Sequence, residues 1–318
     1  MDSCELSVRP LDPNRDYPRV AELRNLFEAE KVTPERMRQM DEERSLGGFA
    51  ARMVAEIEGH IVAAGWATRN LWHPPGLYRV IVRVDPGHHR KGHGSGLLRC
   101  LEAVAIEDGA KTLEAIASDG DGDVGLSFLK KNGYDLVAHT YESTLDLIAF
   151  EVPDPIPMPE IPGLRIFSFA ETAMDEPARR LLWDLNVETS RDEPHNDPDY
   201  RPAFEQFQES VIEASWFDPR GQFVAAIGDA WIGLSAVGEV YEGSLYNLFT
   251  GVRRPYRGLG LARALKLVAT RFAKESGKTY IRTSNDSRNT PMLAINAGLG
   301  YKSESGFCMA RKNVAASG

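Results

Sequence analysis

The segment with the clearest chemical content is Arg257-Gly258-Leu259-Gly260-Leu261-Ala262, inside VRRPYRGLGLARALKLV. Alternate glycines lead straight into an amphipathic helical pattern. Leu261, Leu265, Val268 and Phe272 share one face of it, and Gly277 stands where a helix-terminating glycine belongs. Glycine is a poor helix residue, so its placement here asks for another reason. The first N–H groups of a helix lack intrahelical acceptors, and the helix dipole is positive at that end. Without a Cβ at Gly258 and Gly260, the oxygens of an anion can reach those donors. The chemistry on offer is anion binding by backbone; the plainer reading is a tight turn without a ligand.

The pattern occurs twice. LYRVIVRVDPGHHRKGHGSG and LYNLFTGVRRPYRGLG align without a gap, placing Val84 with Val252, His89 with Arg257 and Gly92 with Gly260. In the first copy Arg90, His93, Gly94 and Ser95 complete the turn and open a helix with Leu97, Leu98, Leu101 and Ala105 on one face. A phosphate loop of the form GxxxxGK[ST] is missed at His93, and the spacing GHGSG or GLGLA is wrong for a dinucleotide fingerprint. The turns also follow hairpin-like strands rather than the first strand of a βαβ unit.

These turns need elements to hold them. Glu151–Gly163, EVPDPIPMPEIPG, carries five prolines and reads as a stiff, extended linker. It divides the chain into halves 1–150 and 164–318. Each half reads as strand, helices, a hairpin plus a third strand, the glycine turn, helix, strand, helix and strand. The fold class is therefore α/β (α+β), two tandem domains, each a mixed, mostly antiparallel sheet flanked by helices.

Composition sets bounds on partners. The 318 residues carry a net charge of −9, which argues against nucleic acid or an anionic membrane surface. Three cysteines, Cys4, Cys100 and Cys308, give neither a CxxC pair nor a disulfide framework. The first residues have no apolar signal region, and no run approaches the roughly 20 apolar residues of a membrane span. A cytoplasmic protein, monomer or homodimer, is the expectation.

The core (Arg/Gln)-x-x-Gly-x-(Gly/Ala) is present as RGLGLA and, with His89 in the first place, as HRKGHG. With FLKKNGY in one half and NTPMLAINAGLGY in the other, the chain resembles the GNAT superfamily of acyl-CoA N-acyltransferases, and tandem bacterial members in particular. The resemblance implies that the amides of Arg257 to Ala262 hold the pyrophosphate of coenzyme A. Thr250, Gly251 and Val252 would pair with the pantetheine arm, and the Val252 N–H would face the thioester oxygen. Asn289 and Asn296 would lie near the pantetheine and the sulfur. Val84, His89, Arg90, Gly92, His93, Gly94 and Ser95 form the corresponding set in the first half.

Many relatives place an acid tyrosine in the last helix. This chain has Asn296 there, and Leu129 in the first half, so neither position can supply a proton. Some relatives place a carboxylate base eleven residues before the turn arginine; that position is Tyr246, and Tyr78 by the same count from His89. A phenol with a pKa of about 10 is a weak base, yet it can order a water or donate. Glu239 and Glu242 are the alternative bases. Asp192, Glu193, Asp197 and Asp199 could attract an ammonium group. His88, His89 and His93 lack a partner carboxylate at ligand spacing, so no metal is expected.

The resemblance thus implies acetyl transfer from acetyl-CoA to a primary amine of a small molecule, by direct attack in a ternary complex. The C-terminal half would be catalytic and the N-terminal half degenerate or regulatory. Two alternatives are a coenzyme A or acyl-CoA sensor without turnover and a nucleotide-phosphate site.

Overall fold

The computed structural model describes residues 6–27, 31–42, 48–69, 73–120, 122, 124–194, 196–197, 199–241 and 244–314. Cys4 and Glu242 lie outside this set. The chain forms two compact units, residues 1–137 with 308–318 and residues 138–307. These do not coincide with the halves expected from the linker. Each unit takes its final strand from the other half of the sequence.

The first half supplies β1 (Ser7–Pro10), α1 (Pro13–Asn25), α2 (Pro34–Glu42), β2 (Phe49–Ile57), β3 (His60–Arg69), β4 (Leu77–Val84), α3 (His93–Glu107), β5 (Thr112–Ser118), α4 (Val124–Lys131) and β6 (Asp135–Asp146). The second supplies β7 (Leu164–Ser168), α5 (Glu176–Ser190), α6 (Phe204–Phe207), β8 (Phe217–Ile227), β9 (Ala230–Tyr241), β10 (Ser244–Val252), α7 (Leu261–Glu275), β11 (Tyr280–Asp286), α8 (Thr290–Gly298), β12 (Lys302–Ser303) and β13 (Phe307–Asn313).

In the first unit the sheet runs β1-β2-β3-β4-β5-β13, antiparallel from β1 to β4, with β5 parallel to β4. Leu97, Leu98, Leu101 and Ala105 of α3 pack into its core with Leu113, Leu129, Tyr134 and Ala310. The last strand is fastened by side chains as well: Arg311 donates twice to Glu114, and Lys312 donates to Glu102. Glu114 is buried and also receives Arg79, so its charge is shared between two guanidiniums.

The second unit repeats the plan as β7-β8-β9-β10-β11-β6, with only the β10–β11 pair parallel. β6 pairs with β11 from Asp146 opposite Tyr280 to Thr140 opposite Asp286. The proline-rich segment is seated on this unit. Ile156 and Ile161 pack on its core, and Arg271 of α7 donates to the Pro153 carbonyl. Among the described residues no helix is long and apolar enough to cross a membrane, and no cluster of His, Cys, Asp or Glu is arranged to hold a metal ion.

Candidate active site

The sheet of the second unit opens at β10. Its pairing with β11 covers Leu245 with Ile281 and Tyr246 with Arg282, while its pairing with β9 continues to Val252 opposite Gly233. Between Asn247 and Phe249 the register shifts, leaving Leu248 as an extra residue. Such a bulge bends a strand and reverses its side-chain alternation. Leu245 before it and Val252 after it accordingly pack into the same core. The Arg253 N–H donates to Ile232 O of β9 at 2.9 Å. Successive N–H groups of a strand point to opposite edges, so those of Val252 and Thr250 point away from β9, into the gap beside β11.

The glycine turn closes the end of this gap. Gly258 and Gly260 have φ of 75° and 87°, the left-handed region that only glycine enters without strain. Gly260 is the N-cap of α7 and brings no side-chain cap, and a Cβ at either glycine would meet nothing within 4 Å. The turn is open above its backbone donors. Arg257 Nε donates to Val252 O at 2.8 Å, tying turn to strand. Arg254 and Arg257 each donate to Asp192 at 2.5 Å, and these bonds hold the Asp192 carboxyl below its usual range.

α8 follows β11, the strand that borders the gap. Asn289 caps it, accepting from the Met292 N–H. Asn296 is buried; its Nδ2 donates to Asn285 Oδ1 at 2.6 Å, and its Oδ1 has no partner. A buried acceptor without a donor is costly. The open turn, with its free backbone donors, fits the phosphates of a ligand such as coenzyme A.

Tyr246 donates to both oxygens of Glu142, at 2.9 and 2.8 Å. Burial pushes the Glu142 carboxyl up, against hydrogen bonds from Tyr246 and Ser284. Glu142 lies on β6, in the first half of the sequence, and sequence reasoning missed it because nothing local marks that strand as part of this unit. Glu239 is ion-paired to Lys278 at 2.9 Å. Lys278 follows the C-terminal end of α7, about 20 Å along that helix from the turn, and Glu239 itself follows Gly238, the residue paired with Tyr246. The loop carboxylates are also engaged: Asp192 as above, Glu193 by Asn196 at 3.1 Å, and Asp197 by the Asp199 N–H at 2.9 Å.

The first unit keeps the turn but not the bulge. Arg90 and Gly92 have φ of 61° and 87°, and His89 Nε2 meets Val84 O at 2.9 Å, where Arg257 meets Val252. The Asp85 N–H donates to Val62 O, so Val84 faces outward from β3 as Val252 does from β9. His93 and Ser95 open α3, but a Cβ at Gly94 would meet Val84 and Phe128 at 3.1 and 3.2 Å, so that glycine serves close packing. β4 pairs with β3 from Arg79 to Val84 without a shift and with β5 over four residues. The gapless match of Tyr78 with Tyr246 therefore fails by one residue. Tyr78 is buried in the core and donates to the Asp108 carboxylate at 2.5 Å, where burial first and that bond second push its pKa up to about 12.

A strand that leaves its parallel neighbour beside a glycine turn and a helix N-terminus is a place where a phosphate-bearing ligand with an extended arm could be held. The acetyltransferase (GNAT) family profile matches residues 17–134 and 179–301, and the chain belongs to that family. It is an acyltransferase enzyme. It is 27% identical over 282 residues to a mycothiol acetyltransferase of Thermobispora bispora, covering 86% of this chain and 88% of the relative. Its fold is similar to that of a GCN5-related N-acetyltransferase from Sphaerobacter thermophilus (TM-score 0.74, 20% identity, 97% and 95% of the chains covered). It is also similar to a tandem GNAT protein from the clavulanic acid biosynthesis pathway (TM-score 0.73, 20% identity, 99% and 100% covered).

Proposed function

We propose that the chain transfers an acetyl group from acetyl-CoA to a primary amine of a small molecule, by direct attack in a ternary complex at the second unit. The observation that carries this reading is the end of β10–β11 pairing at Tyr246 and Arg282, with an open glycine turn at the far end of the same strand. The relative named mycothiol acetyltransferase supports a small-molecule acceptor. Arg257, Gly258, Leu259, Gly260, Leu261 and Ala262 would hold the pyrophosphate, and Thr250, Gly251, Val252, Asn289 and Asn296 the arm. When bound, acetyl-CoA supplies an activated thioester.

The chain's own groups do the rest. The gap-facing N–H groups of Thr250 and Val252 donate to carbonyl oxygens of the arm, and one of them to the oxygen that gains charge during attack. Tyr246 Oη accepts a proton from the acceptor's ammonium group as its own proton passes to Glu142, whose carboxylate it already touches, and the neutral amine so freed is the nucleophile. The C–N bond would form as the C–S bond of the thioester breaks, and the proton shed by the new amide nitrogen would go to the leaving thiolate. Asn296 orients and carries no proton. The first half, lacking the bulge, is a degenerate or regulatory copy.

The test is calorimetric binding of acetyl-CoA to wild type and to Gly260→Glu, paired with thiol release across a panel of amines. Wild type should bind and release thiol only with an amine present, and the variant should do neither. Equal binding by the two proteins removes the turn as the cofactor site. Binding without amine-dependent release would leave a sensor.

A further inference from the structure

α7 carries a charged side chain on its buried face. Lys266 is 2% exposed, and the equivalent residue of α3, Leu98, is an ordinary core leucine. An ammonium in such a place is unfavourable unless it is bonded. Its Nζ donates to Asn247 Oδ1 at 2.7 Å and lies 5.2 Å from the centre of the Tyr301 ring.

Asn247 is the last residue before the Leu248 bulge, and it is bonded on every side. Its Nδ2 donates to Ser235 Oγ at 3.0 Å and to the carbonyls of Ala236 and Phe249 at 3.0 and 3.3 Å, the residues paired just past the bulge. Its Oδ1 accepts from Thr250 Oγ1 at 3.1 Å as well as from Lys266. Its main-chain carbonyl accepts from Thr283 Oγ1 at 3.0 Å, one residue beyond the last β10–β11 pair. A bulge takes groups out of the ladder, and Asn247 satisfies them from within the core. The unit with the bulge has the lysine; the unit with the regular strand has leucine there.

We infer that Lys266 is a positioning residue for acyl transfer, gripping Asn247 beneath the sheet so that the bulge, and with it the gap-facing backbone of Thr250 and Val252, stays in one conformation. This rests on the reading of the gap as the acetyl-CoA site.

The test uses the full chain with Lys266→Met, which keeps the length and removes the donor. Amide hydrogen exchange in residues 247–252 of the ligand-free protein should rise at least tenfold while α7 stays protected. The acetyl-CoA dissociation constant should rise about tenfold with the thermal midpoint unchanged or higher. Asn247→Leu should produce the same losses, and the double variant should be no worse than either single. A folded Lys266→Met protein with wild-type exchange and affinity overturns the inference. Should that variant not fold, Asn247→Ser, too short to reach Lys266, carries the same expectation and the same refutation. Failure of wild type to bind acetyl-CoA sinks the cofactor reading instead, and the exchange measurement still judges Lys266.

Discussion

At Tyr246 the phenol and the Glu142 carboxylate form a pair whose two members come from opposite halves of the sequence. If Glu142 takes the proton, Glu142→Gln should lower kcat by about a hundredfold and leave acetyl-CoA affinity within twofold. Burial raises the Glu142 carboxyl, and a base must be ionised, so kcat/KM should fall as pH drops through that raised value. The variant should lose this acid limb, and a stopped-time assay from pH 5 to 8 reads it. Lys266 gives a signature in stability rather than in rate. Burial lowers its pKa from 10.5 to about 7, so the unfolded chain binds the extra proton between those values. Stability should therefore rise with pH across that window, by up to about 1.4 kcal/mol per unit. Thermal melts at pH 7, 8 and 9 should show the rise in wild type and a weaker one in Lys266→Met. At this scale the sequence singled out Tyr246, Asn296 and the turn as candidates. It did not lead to Glu142 or Lys266, because a partner is a property of three-dimensional neighbourhood, and Lys266 falls in an otherwise ordinary helical stripe.

Among elements, the turn was legible and the bulge was not. Alternate glycines before a helical pattern have few physical readings, and both turns adopt the left-handed positions that the pattern implies. A bulge leaves no such mark. One extra residue in an alternating strand changes which face each side chain occupies, yet LYRVIVRV and LYNLFTGV match from end to end as text. Deleting Leu248 should leave a regular strand with Tyr246 still at the register position that Arg79 holds in β4, and, by removing the bend beside the gap, abolish acetyl-CoA binding measured by calorimetry while the protein still melts cooperatively. In the first unit the left-handed position is filled by Arg90, at a strain glycine would not feel. Arg90→Gly should raise stability by about 0.5–1 kcal/mol, the strain relieved exceeding the entropy that glycine adds to the unfolded chain. Denaturant titration with an unchanged slope would register it.

At the level of the whole molecule, the proline-rich segment is visible from sequence, and the membership of strands is not. An alternating strand fits any sheet edge that buries its apolar side, so β6 and β13 carry no label for the unit they complete. Ala138–Leu147 belongs with the second unit and Cys308–Asn313 with the first. Fragments 1–150 and 164–318, cut where the prolines invite it, should each be unfolded or aggregated alone by circular dichroism, and co-expression should recover folded protein. A single contact tests the same dependence. Arg311→Ala leaves the buried Glu114 with Arg79 alone and should cost about 1–3 kcal/mol, read as a lower melting temperature.

The exchanged strands also bear on how such a chain can change over time. A duplicated domain that loses its own chemistry is usually free to erode or to be deleted. Here the first copy lends the second a strand and, on that strand, the carboxylate behind Tyr246. Mutations that silence the glycine turn at His89 can accumulate without harm to the other turn. Mutations that shorten or misplace residues 138–147 strike the proposed site of the second unit directly. The two copies are bound to a shared fate by a strand each, and selection at one site reaches across the whole sequence.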